Sequence, residues 1–77
     1  MALNPLFSPA DALVAALQPG QVQTWTPQSL SLDPWSFHDH AQRILELAID
    51  NVVEAMGTER EILDGKKLWS CIVFKKL

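Results

Sequence analysis

Apolar residues recur along the middle of the chain at helical spacing. At 100° per residue, Phe37, Ala41, Ile44, Leu45, Ala48, Val52 and Ala55 fall on one stripe, which Ile49, Val53 and Met56 widen on one side and Leu47 on the other. The spacing predicts one long amphipathic helix over 34–56. Its apolar arc covers roughly 200°, about twice what a helix lying on a core needs. Its polar side is a ridge of Asp39, Glu46, Asp50 and Glu54 broken by Arg43. Asp33 can cap the start with Pro34 at the first helical position, or Ser36 can cap with Asp39 three residues on. Gly57 suits the left-handed position past the end.

The pattern elsewhere is shorter. Ser8, Pro9 and Asp11 resemble a capping box, and Ala10, Leu13, Val14 and Leu17 share a face of a brief helix that Pro19-Gly20 stops. From Gln21 to Leu32 the period becomes two, with Pro27 interrupting, as in an edge strand or two short strands joined by a bend. Residues 58–67 admit two readings. Thr58 and Glu61 can open a helical turn, or Asp64-Gly65 can form a type I′ hairpin turn. The hairpin is preferred, because acids before the turn and lysines after it can pair across antiparallel strands. Leu68–Phe74 reads as a strand apolar on both faces, and therefore central. The predicted fold is α+β: a short N-terminal helix, a strand region, and a long amphipathic helix packed on a small antiparallel sheet completed by a C-terminal strand or hairpin.

Length sharpens the meaning of the wide apolar arc. The 77 residues make a single small domain, 1–77, with 1–7 as a flexible or ordered apolar arm. Domains of this size commonly need disulfides, a metal or association for reinforcement. One cysteine, Cys71, rules out an intrachain disulfide, so association is the expected reinforcement. The N-terminal residues lack the pattern of a secretory signal, and no run reaches the roughly 18 apolar residues of a membrane span. The expected location is cytoplasmic.

Charge and chemistry narrow the function further. Net charge is −3, which weighs against nucleic acid; Lys66, Lys67, Lys75 and Lys76 nevertheless supply four of the six cations, and no acid follows Asp64. His38, Asp39 and His40 suggest a metal or base cluster with Cys71, but on a helix the two histidines lie 200° apart. Glu46, Asp50 and Glu54 at four-residue spacing read as a solvated ridge rather than an acid–base pair. Cys71 reads as a small buried hydrophobe. With three glycines, each assigned to a turn or cap, no phosphate loop is available, and no nucleophile triad is present.

The expectation is therefore a non-enzymatic protein-interaction module, such as a regulator, inhibitor or accessory subunit, without metal or cofactor. Its partner would be another protein or a second copy of itself. The candidate partner-binding residues are Trp25, as an exposed aromatic anchor, with Leu47, Val53 and Met56 as surplus apolar surface, Asn51 as a register-setting polar group, and Asp50 and Glu54 as a docking ridge. The alternative is a nucleic-acid-binding regulator that uses the C-terminal lysines.

Overall fold

A computed structural model describes residues 9–77. The elements run α1 (Pro9–Ala15), β1 (Val22–Trp25), α2 (Pro34–Ile49), β2 (Val53–Leu63) and β3 (Lys66–Lys76). The sheet is antiparallel in the order β1-β3-β2. This is the expected α+β arrangement, with the Leu68–Phe74 segment central. The expected cap at Ser8 and the arm at 1–7 lie outside the described residues.

α2 starts where the sequence places it. Asp33 is extended and its carboxylate accepts from the backbone N–H groups of Trp35 and Ser36, while Pro34 needs no donor partner. The helix ends seven residues earlier than expected, at Ile49 rather than Met56. Asn51 takes the left-handed conformation (φ 61°). Its N–H donates to Ala48 O and that of Val52 to Leu47 O, the paired bonds of a Schellman cap. Asparagine tolerates positive φ, and the β-branched Val52-Val53 pair favours the strand that follows. Gly57 therefore sits within β2 instead of capping the helix. The apolar arc narrows accordingly: Phe37, Ala41, Ile44 and Leu47, spaced four, three and three residues apart, form the buried stripe.

Asp64 and Gly65 both have positive φ, 51° and 78°, as a type I′ turn requires, so residues 58–67 form the hairpin. The expected cross-strand charge pairs near the turn do not form: Glu61 lies opposite Leu68, Ile62 opposite Lys67 and Leu63 opposite Lys66. Two irregularities shift the register. Met56 is an extra residue in β2, between Ala55↔Phe74 and Gly57↔Val73, and Ser70 is an extra residue in β3, between Glu59↔Cys71 and Arg60↔Trp69. The strand expected at 29–32 is instead a turn, closed by Leu30 N–H to Thr26 O and Leu32 N–H to Pro27 O.

Opposed residues in an antiparallel sheet share a face. Trp25, Ile72 and Thr58 lie on one face with Phe74, and there Trp25, Ile72 and Phe74 join Ala10, Val14, Phe37, Ala41, Ile44, Leu47 and Val53 in the core. Burying side chains the size of Phe37 or Ile44 contributes about 1.5–3 kcal/mol each. The other face aligns Val22, Lys75 and Glu54, then Thr24, Val73 and Gly57, then Cys71 and Glu59. It is open, with Val22, Thr24, Glu54, Gly57 and Glu59 exposed. α1 docks on α2 through buried Ala10 and Val14 and through the Arg43–Asp11 ion pair at 3.0 Å.

Candidate functional site

The candidate partner-binding residues separate into two groups. Trp25 is 5% exposed, because it lies opposite Ile72 and meets Phe74 edge-to-face at 4.8 Å. Leu47 and Val53 are also core residues. The reading of these three as exposed contacts is corrected by their burial; Trp25 is an anchor of the core. Asp50, Asn51, Glu54 and Met56 are exposed and lie within seven consecutive residues where α2 gives way to β2. Asn51 there caps the helix, which assigns it a backbone role. Asp50 and Glu54 are no longer neighbours on a helix, since Asp50 is the helix C-cap and Glu54 sits in β2 opposite Lys75.

The same junction exposes an apolar residue that the candidate set omits. Ile49, the last residue of α2, is 80% exposed, and Met56, thrown out of register by its bulge, is 53% exposed. A single exposed apolar residue is ordinary, but two within eight residues across one helix–strand junction, with exposed polar Asp50, Asn51 and Glu54 between them, have the composition of an interface patch. The sequence pattern concealed Ile49, since extending the helix to Met56 merged it with the core stripe.

β2 is also an edge strand of 11 residues. Charged Glu54, Glu59, Arg60 and Glu61 and the bulge at Met56 are devices that discourage indiscriminate edge pairing. Directed contact at the junction is thus compatible with a guarded edge.

The polar groups at the other end of α2 are committed to structure. The Trp69 backbone N–H donates to His38 Nδ1 at 3.0 Å, and the Trp69 indole N–H donates to Gln42 Oε1 at 3.0 Å. The Arg60 guanidinium lies over the Trp69 ring, 3.9 Å from its centroid. His40 Nδ1 donates to Ser36 O, a carbonyl that can only accept, whereas His38 Nδ1 accepts, so the two histidines point to different partners. Among the described residues, no group of three or more His, Cys, Asp or Glu side chains is placed to hold a metal ion. Cys71 is half-buried; burial pushes its thiol above the ordinary value and the opposing Glu59 carboxylate adds to the shift, as expected of an unreactive thiol.

The lysines do not form one patch. Lys66 and Lys67 begin β3 and Lys75 and Lys76 end it, so Lys75 lies eight positions after Lys67, about 26 Å along a strand. Lys75 faces Glu54, and the Lys76 ammonium donates to Val14 O. Phosphate neutralisation rewards clustered charge, and this separation does not supply it.

Two concavities stand out on the surface of the described residues. One, between α1 and α2, is lined by Pro9, Ala10, Ser36, Asp39, His40 and Arg43. The other, of about 240 Å³, lies where the turn after β1 and the start of α2 meet the turn end of the hairpin; Pro27, Leu32, Pro34, Leu63 and Leu68 are its apolar walls. No helix among the described residues is long and apolar enough to cross a membrane. No family model matches the chain, and comparisons with curated proteins and with solved structures return no match.

Proposed function

We propose that the protein is a small non-enzymatic protein-interaction module, a regulator, inhibitor or accessory subunit, that self-associates through the α2–β2 junction. The observation that carries this reading is the exposure of Ile49 and Met56 on either side of the α2–β2 junction, with exposed polar Asp50, Asn51 and Glu54 between them in the chain. These side chains lie outside the core cluster, and covering them in a second copy removes apolar area from water at roughly 25 cal/mol per Å². A two-fold contact places the same patch on both partners, which a patch of apolar and polar side chains satisfies. The reading also supplies the reinforcement that a domain of this size without a disulfide needs. Static light scattering over a concentration series tests it. The expected result is a rise in mean mass with concentration and a fall in binding of an apolar dye as the patch is covered. A constant monomer mass would sink the reading.

A further inference from the structure

We propose that the pocket beside the turn end of the hairpin is a second binding site, which takes one large apolar side chain of a partner peptide followed by a lysine or arginine. The site owes its existence to unequal strands. β1 stops at Trp25, opposite Ile72, because Pro27 cannot continue the ladder, so along that edge β3 has no strand partner from residue 71 back to 66. The turn over 27–31 fills only part of that space. What remains is walled by Pro27 and Leu32 on one side, Leu63 and Leu68 on the other, and Pro34 at the head of α2.

Size and charge choose the occupant. At about 240 Å³ the pocket is smaller than the roughly 300–1,000 Å³ of cofactor and small-molecule sites, and it suits a single phenylalanine- or leucine-sized group. Glu61 is the one charged side chain in its lining; the other polar groups are Gln28, Ser31 and Ser70. The described ion pairs all involve Arg43, which leaves the Glu61 carboxylate available. Of the three cations near this end, Arg60 lies over Trp69, Lys66 lies 5.7 Å from the centroid of Trp35, and Lys67, opposite Ile62, falls on the sheet face away from Glu61. An apolar cavity with one carboxylate at its side selects an apolar anchor next to a positive charge. Trp35, 42% exposed and adjacent to Pro34, offers further apolar surface to the same segment. The site is separate from the α2–β2 junction, at the opposite end of a 16-residue helix about 24 Å long, and its occupancy does not depend on self-association.

The test uses the full chain labelled with ¹⁵N and two probes, acetyl-Phe-Lys-amide and acetyl-Phe-Glu-amide, titrated while backbone amide shifts are recorded. The lysine peptide is expected to move the amides of Gln28, Leu63, Leu68 and Ser70 saturably and to bind at least threefold tighter than the glutamate peptide. Glu61→Gln, at an exposed position, should remove that preference, and Gln28→Trp, on the exposed turn, should block binding of both. Absence of saturable shifts at these residues, or equal affinity for the two peptides, would overturn the proposal. Movement of the same amides on dilution alone would assign the pocket to a second copy and overturn it equally. Failure of self-association leaves all these readouts intact, so the two proposals fail separately.

Discussion

The backbone N–H of Trp69 donates to Nδ1 of His38 across 3.0 Å, so a helix side chain takes the place of a strand at the unpaired edge of β3. The extra residue Ser70 breaks the ladder next to Trp69, and past Trp25 there is no β1 residue to accept the bond. Gln42, one helical turn after His38, accepts from the indole of the same tryptophan. α2 is thus tied to β3 by directional bonds as well as by apolar contact.

Removing that acceptor leaves the Trp69 N–H without a partner in a part-buried setting. His38→Ala should lower stability by about 1–2 kcal/mol. Urea unfolding would show a lower midpoint with an unchanged slope; an unaltered midpoint would mean that water replaces the imidazole at no cost.

Asn51 carries the left-handed residue that ends α2. Alanine there must adopt the same φ without asparagine's local tolerance, and Asn51→Ala should cost about 1 kcal/mol. Asn51→Gly should be neutral or stabilising, since glycine enters this region freely. Thermal unfolding of the three proteins checks the order, which an extended helix through residue 51 would reverse.

Asp33 is held below its ordinary value of 3.8, first by the Ser36 hydroxyl donating at 2.6 Å and then by the Ser36 and Trp35 backbone N–H groups. Its folded value lies below its unfolded one, so its contribution is fully present above the ordinary carboxylate range and is lost as pH falls through the lowered value. Asp33→Asn keeps an acceptor for the cap but loses the charge. Its stability difference from the parent should therefore shrink steadily as pH drops below about 4. A difference independent of pH would show that the charge plays no part.

How far the sequence reveals this fold depends on whether a feature is local. The start of α2 was legible because Asp33 and Pro34 specify a cap by themselves, and the hairpin because Asp64-Gly65 specifies a turn. The end of α2 was obscured because Val52, Val53, Ala55 and Met56 happen to continue the helical stripe. The competing signal was present in Asn51, which can go left-handed, and in the β-branched pair behind it. Polar Gln21 and Gln23, which alternate onto the same strand face as Trp25, point toward exposure; which face a strand residue buries is set by pairing with Ile72, a contact 47 positions away. The bulges at Met56 and Ser70, which expose one and free the backbone beside the other, depend on register and leave no mark in the sequence.

The claim that the α2–β2 junction is an interface is tested most directly by sedimentation equilibrium of the parent protein and of the double variant Ile49→Lys, Met56→Lys. Both side chains lie outside the core, so the variant should keep the parent's thermal stability. The account predicts a parent that associates reversibly with concentration and a variant that remains monomeric throughout. A parent that is monomeric at every concentration, or a variant that associates as strongly as the parent, would contradict it.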